Sequence, residues 1–403
     1  MLAKHLAAGG HRVTWWTSAF DHIRKQHLAK SDAEVQWGSN VTLRLVQAPG
    51  YTRNVSLARA IDHARVAKRF EQLALASEKP DVILASMPTI DLALASTQIG
   101  LHFNVPVVVD IRDLWPDIYV EMLPKWLRHV ADVVIQMPRR QVRNACRQAF
   151  AIIGNAPNFV EWGLALAGRA ASTFDRFFPF GYSIPPVSPE RRLAAEKYWE
   201  GHGIRRDHKE LLGCYFGSVG FQSDFDTVIE AVRRLRGSDV AVRVVFCGEG
   251  DRLEDLKRRA RDVPEILFTG WVEQPEILAL MEMSQFGIAP YRNHSGYIGN
   301  LPNKPIEYIA GGLPVVTCLS GYLSDFLERH ACGYHYPEED ADALVQLLRR
   351  LDREREALQR ASVNAREVFR EKFDAGVVYE SMVEYLQEVV RSHALAAPRR
   401  GLA

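Results

Sequence analysis

A chain of 403 residues is long enough for two ordinary domains, each with its own core. Fifty basic and 49 acidic side chains leave a formal charge of +1, which argues against a large nucleic-acid footprint. Five scattered cysteines without C-x-x-C spacing, and thirteen histidines without H-E-x-x-H spacing, point away from disulfides and structural zinc and toward a reducing compartment.

No apolar run approaches the length needed to cross a bilayer and no signal peptide opens the chain, so the expected location is cytoplasmic. Met1 to Gly10 reads as a helix closed by Gly9 and Gly10, and HRVTWWTS after it as a strand. VTLRLVQAP alternates like a second strand, Gly50 to Asn54 is a loop, and Leu57 to Ser77 reads as a long basic amphipathic helix. The apolar runs Pro80 to Ala85 and Val105 to Val109 lie between helices, as parallel strands covered on both faces do. This alternation predicts an α/β domain whose site lies at the carboxyl ends of its strands.

The second of these runs ends in Asp110-Ile-Arg-Asp-Leu-Trp-Pro-Asp117. Arg112 can pair with a neighbouring aspartate or hold a phosphate, and Trp115 offers a flat apolar face to a sugar. A turn held by an Asp–Arg pair accounts for the same residues. Farther on, Arg140, Arg143 and Arg147 share one helical face, with Trp126 and Leu127 just upstream. Such a stripe is either a solvated face or a dock for an anionic leaflet, at the inner side of the cytoplasmic membrane.

The proline-rich run DRFFPFGYSIPPVSPERR ends the apolar alternation and reads as an interdomain linker. The domains are expected at 1–185 and 206–372, with the linker at 186–205 and a helix and loose tail at 373–403. In the second domain, Leu211 to Phe216 is a strand leading through Gly217-Ser-Val-Gly220 into a helix near Asp226. A glycine-containing turn of this kind suits close approach of a diphosphate. Asp224-Phe-Asp226 has D-x-D spacing, but at the start of a predicted helix it reads as a cap rather than a metal site. Val242 to Cys247 follows as a buried strand, Ile266 to Val272 as the next strand and loop, and Phe286 to Pro290 as another short strand.

The most informative stretch is YRNHSGYIGNLPNKPIEYIAGGLPVVT, from Tyr291 to Thr317. Asn293, Ser295, Gly296, Gly299 and Asn300 mark a loop. Asn303 stands where an N-cap would, Pro305 falls in the first helical turn, and Gly311 and Gly312 end the helix. Lys304 lies at the mouth of that helix and Glu307 one turn in. Helix N-termini attract anions, while a carboxylate beside one suits sugar hydroxyls, so the pair suggests a nucleotide. An ordinary capped surface helix explains the pattern equally well.

The run LPNKPIEYIAGGLPVV resembles the donor-site signature of family 4 glycosyltransferases of bacterial surface-polysaccharide type, which have the GT-B fold. D-x-R-D-L-W-P similarly recurs in the acceptor-side domain of bacterial members. The resemblance implies two Rossmann-like domains facing a cleft, with the last helix crossing back to the N-terminal domain. It implies a nucleotide-sugar donor carrying a hexosyl or N-acetylhexosaminyl group, transfer with retention to a lipid-linked or glycan acceptor, and no cofactor or metal. Glu307 then binds the ribose, and Gly217, Ser218, Gly220, Gly248, Asn300, Leu301 and Asn303 line the donor. Trp271 and Val272 hold the base, while Asp110 and Asp113 position or deprotonate the acceptor hydroxyl beside Arg112 and Trp115.

Three departures stand out. The first glutamate of the family's E-x7-E motif falls on Gly299. The usual diphosphate-binding arginine and lysine fall on Phe221 or Ser218 and on Ser223 or Asp224, leaving Lys304 and Arg292 as replacements. The family's first strand and its glycine-rich loop have no counterpart, which suggests a late start and leaves two neighbouring strands short of ladder partners. These departures make a non-catalytic glycan-binding or scaffold subunit the alternative.

Overall fold

The computed structural model describes residues 1–54, 56–121 and 123–396. The chain divides into two compact units, Met1–Pro179 joined by the stretch from Val378, and Phe180–Val377. In the first unit the strands are β1 (Val13–Ser18), β2 (Phe20–Asp21), β3 (Gln26–His27), β4 (Ala33–Gln36), β5 (Val41–Val46), β6 (Ile83–Met87), β7 (Val107–Ile111), β8 (Ala151–Gly154) and β9 (Arg176–Phe177). Its helices are α1 (Leu2–Ala8), α2 (Leu57–Leu75), α3 (Ile90–Phe103), α4 (Asp117–Glu121), α5 (Lys125–Val134), α6 (Gln136–Gln148) and α7 (Pro157–Ala167).

The four strands β6-β7-β8-β9 pair in parallel, in that order. Val108, Ala151 and Ile153 on one face pack under Met382, Tyr385, Leu386 and Val389 of the C-terminal helix. Val109, Ile111 and Ile152 on the other face meet α6 and α7. Burial on both faces is why β7 reads as a run of valines, and β8 is buried throughout as well.

A separate three-stranded sheet, β1-β5-β4, lies beside them in the chain, so β1 and β6 are both edge strands. Val13 and Ala19 donate toward β5, which turns the alternate amides of Thr14, Trp16 and Ser18 away from it. Ile83 donates to Pro106, so Leu84 and Ser86 likewise face away from β7. Those outward amides of β1 and β6 have no ladder partner among the described residues. Trp16 and Ile83 nonetheless share one apolar cluster with Phe70 and Ile99.

The second unit holds α8 (Pro189–Gly201), β10 (Leu211–Phe216), α9 (Phe225–Leu235), β11 (Val242–Cys247), α10 (Leu253–Arg259), β12 (Ile266–Gly270), α11 (Gln274–Met283) and β13 (Phe286–Ala289). Then come α12 (Ser295–Ile298), α13 (Asn303–Ala310), β14 (Val315–Thr317), α14 (Tyr322–Arg329), β15 (Gly333–His335), α15 (Ala341–Arg353), α16 (Arg355–Val368), a π-helical turn over Phe369–Phe373, and α17 (Ala375–Ala396), which carries on into the first unit. Its six parallel strands run β12-β11-β10-β13-β14-β15, a doubly wound order that reverses direction between β10 and β13. In open sheets of this kind the crevice at that reversal, outside the carboxyl ends of the strands, takes the ligand.

The stretch expected to be a linker, 186–205, instead contains α8, with Ala195 and Trp199 buried in the core of the second unit. Its prolines mark a helix start rather than a hinge. Pro189 opens α8, and the Ser188 hydroxyl caps it by accepting from the Arg191 amide at 3.4 Å. The chain passes between units at Pro179 and again at Val378, earlier and later than the expected 185 and 372.

Candidate functional site

Two loops flank the reversal point of the second sheet: Gly217 to Gly220 after β10, and Pro290 to Pro302 after β13. The first is clamped to the turn after β11 through three backbone bonds, Gly217 N to Cys247 O at 2.8 Å, Val219 N to Glu249 O at 2.9 Å and Arg252 N to Val219 O at 3.1 Å. Gly248 is at φ +145, and a Cβ there would sit 1.9 Å from the Gly217 carbonyl oxygen. Gly248 therefore serves the packing of one turn on the other. Ser218 turns its carbonyl to the Tyr215 hydroxyl at 2.6 Å. Gly220 leaves room for the Gln222 side chain, whose Oε1 would lie 2.2 Å from a Cβ there.

Gly217 has a different purpose. It lies at φ +130, and a Cβ on it would fall 2.1 Å from Lys304 Cε and 2.2 Å from Lys304 Nζ. The glycine lets the lysine reach the turn from the start of α13, with its ammonium 5.8 Å from the centre of the Tyr215 ring. That helix opens at Pro302 without any side-chain cap, and Asn303, the expected cap, is instead its exposed first residue. The first amides of α13 thus lack intrahelical partners, beside a cation.

Glu307 stands one turn on from Lys304. Both are half-buried, and neither makes a hydrogen bond or ion pair among the described residues. Burial lowers the lysine's pKa and raises the glutamate's, and their mutual attraction offsets this only in part. An uncompensated cation and carboxylate side by side are costly to the fold, which is a recognised mark of functional positions. Phe180, Gly181, Tyr182, Asn303, Ile306 and Glu307 line a cavity of about 200 Å³. Burial, helped by the charge of Glu307, pushes the Tyr182 phenol up to about 12. A larger cavity of about 1030 Å³, lined by Arg206, Leu313 and Arg366 among others, lies at the amino ends of β10, β13 and β14. That is the wrong end of the sheet for this chemistry.

The remaining expected donor residues divide. Arg292 reaches Glu339 at 2.9 Å and both Glu338 and Asp224 at 3.3 Å, so its charge is already matched within the protein. Asp224 is buried and caps α9, accepting from the Thr227 hydroxyl at 2.6 Å, and Asp226 pairs with Arg252 and Arg259. This D-x-D is a cap, as its place at a helix start suggests. Trp271 is largely exposed while Val272 is in the core. Asn300 accepts from the Leu301 amide at 2.7 Å, and the Leu301 side chain is buried. Tyr182, Tyr215 and Tyr291 all border the Lys304–Glu307 pair and were missed by sequence reasoning. No spacing pattern joins them, since each comes from a different segment.

In the first unit, Asp110 is the last residue but one of β7 and almost wholly buried, accepting from Arg112 Nε at 2.7 Å and from the Ser86 hydroxyl at 3.2 Å. Its second oxygen, Oδ1, is buried without a hydrogen-bond partner. Asp113 accepts from the Leu114 amide at 2.9 Å and Trp115 Nε1 at 3.0 Å, and burial raises its pKa. The Trp115 ring, expected to be open to a sugar, meets the Arg59 guanidinium at 4.4 Å and stacks on His63 at 6.4 Å. Arg59 and His63 sit four apart on α2, a spacing that shows only once the target of that helix face is known. Arg140, Arg143 and Arg147 are exposed on α6.

Comparison with known proteins accords with this architecture. Residues 212–353 match the family described as glycosyl transferases group 1, and residues 1–173 match the glycosyl transferase 4-like domain. The amylovoran biosynthesis glycosyltransferase AmsK of Erwinia amylovora is 26% identical over 40% of this chain and 40% of its own length. The chain spans about two fifths of the length of the curated relatives it first matches. Sucrose-phosphate synthase from Thermosynechococcus elongatus superposes with a TM-score of 0.70, at 16% identity, covering 97% of this chain and 92% of that one. Anabaena HepE, solved in complex with UDP, superposes with a TM-score of 0.61 at 14% identity, covering 86% of each chain. Both halves of the chain thus carry the marks of one group of enzymes, and it belongs to the family 4 glycosyltransferases, with the GT-B fold.

Proposed function

We propose that the protein transfers a hexosyl or N-acetylhexosaminyl group from a nucleotide-sugar to a lipid-linked glycan acceptor, with retention at the anomeric carbon, in surface-polysaccharide synthesis. The observation that carries this reading is Lys304 against Gly217, at an uncapped helix start, with the unpaired Glu307 one turn behind. A nucleoside diphosphate answers both needs. Its phosphates supply the charge that Lys304 and the first amides of α13 lack, and its ribose supplies hydroxyls to Glu307. As the glycosidic bond breaks, the leaving diphosphate gathers negative charge, and a lysine already held in place stabilises it without reorganising. Asp113, whose pKa burial raises, is suited to take a proton from an acceptor hydroxyl. AmsK is named for polysaccharide synthesis and HepE was crystallised with UDP, which supports the reading by kinship.

Titration with UDP, GDP and ADP by calorimetry, alongside Glu307→Ala, tests it. Micromolar binding of one nucleotide, lost in the variant, supports the transferase and names the base. If folded protein binds none of them, the scaffold reading replaces it.

A further inference from the structure

Helices α5 and α6 form nearly one rod, because Ile135 donates to Ala131 at 2.9 Å and Arg139 to Ile135 at 2.9 Å across their junction. Along it Trp126, Val130, Val133, Val134 and Met137 recur at helical spacing on one face, and each is between 63 and 75% exposed. Large apolar side chains this exposed, in one contiguous stripe, are unusual for a surface that meets only water. Arg140 and Arg147 continue the same face toward the C-terminal end of α6, with Arg143 at its margin. All three are exposed, and none has an ion-pair partner among the described residues. Arg139, by contrast, turns away to Asp117 at 2.6 Å and Asp132 at 2.8 Å. The rod therefore presents an apolar segment followed by a basic one, over roughly 30 Å.

We propose that this face docks on an anionic phospholipid bilayer, with the α5 stripe sunk among the acyl chains and the α6 arginines on the headgroups. Five apolar side chains in water and three uncompensated cations complement such a surface and no neutral one. Chain continuity places the dock usefully. Only α4 separates the Asp110–Trp115 segment from α5, so the first unit's candidate acceptor residues lie just upstream of the membrane-bound helix. The inference deepens the reading above, since it names the surface that presents a lipid-linked acceptor, yet vesicle binding does not depend on donor binding.

Full-length protein should co-sediment with vesicles of phosphatidylcholine containing phosphatidylglycerol, and much less with phosphatidylcholine alone. Arg140→Ala and Arg147→Ala should each weaken binding about fivefold. Val133→Asp with Met137→Asp should abolish it, while UDP titration and melting temperature stay unchanged in every variant. Added salt should weaken wild-type binding. The proposal is overturned if wild-type protein ignores anionic vesicles, or if binding is equal on neutral ones. It is also overturned if light scattering shows a dimer that the Val133→Asp variant dissociates. Failure to bind any of UDP, GDP and ADP, with vesicle binding intact, would overturn the donor reading alone.

Discussion

Replacing Gly217 with alanine separates the backbone role of that glycine from the cation it admits. The new Cβ would lie 2.1 Å from Lys304 Cε, so the lysine terminus must withdraw by roughly 1–2 Å to regain ordinary contact. An alanine at φ +130 also costs stability, about 1–2 kcal/mol, whatever the lysine does. A charged hydrogen bond to the diphosphate is worth about 1.5–3 kcal/mol, so losing it should weaken UDP binding roughly 10- to 150-fold. Calorimetry on the wild type, Gly217→Ala, Lys304→Ala and the double variant completes the cycle, with melting curves to confirm folding. If the glycine acts by admitting the lysine, Gly217→Ala should cost almost no further affinity once Lys304 is already alanine. Strict additivity of the two losses would refute that account and make the turn's own backbone the phosphate ligand.

Other consequences can be checked with the same material. Burial raises the pKa of Glu307, so its ionised form destabilises the fold above the ordinary carboxylate value of 4.5. Glu307→Gln should therefore melt higher than wild type at pH 7, lose that advantage as the pH falls below about 4.5, and bind nucleotide far more weakly. Asp113→Asn should lower kcat by about 10²–10⁴ with donor KM unchanged. The acid limb of the rate profile, set by a carboxyl raised above 3.8, should vanish with it. Asp110→Ala removes the buried carboxylate that pairs with Arg112 and accepts from Ser86, so its activity loss should track a fall in melting temperature. Trp271→Ala should leave stability within about 0.5 kcal/mol, because its ring is exposed, yet weaken nucleotide binding about tenfold if that ring stacks on the base.

Parallel strands buried on both faces announce themselves as apolar runs, which is why β7, β10, β11 and β13 were legible in the chain. The helix carrying Lys304 and Glu307 was legible too, because glycines and prolines punctuate it at both ends. What could not be read was how side chains spend their charge. Arg292 resembles a free phosphate ligand in sequence, but Asp224, Glu338 and Glu339, distant along the chain, converge on it. Trp115 resembles an open platform until α2 brings Arg59 and His63 against its ring. The prolines before α8 were misread because a helix start and a hinge share the same residues, and only burial of Trp199 distinguishes them.

The two-piece sheet of the first unit gives its backbone an uneven clock. In β1 the amides of Val13, Trp15 and Thr17 face β5, whereas those of Thr14, Trp16 and Ser18 have no ladder acceptor among the described residues. Deuterium from solvent should enter the second set long before the first, in strict alternation along the strand. None of the residues of α1 is fully buried, and little of β1 is. The chain ahead of α2 should therefore be the part of this unit that opens first in denaturant, and the part a protease cuts while the β6–β9 core is still closed.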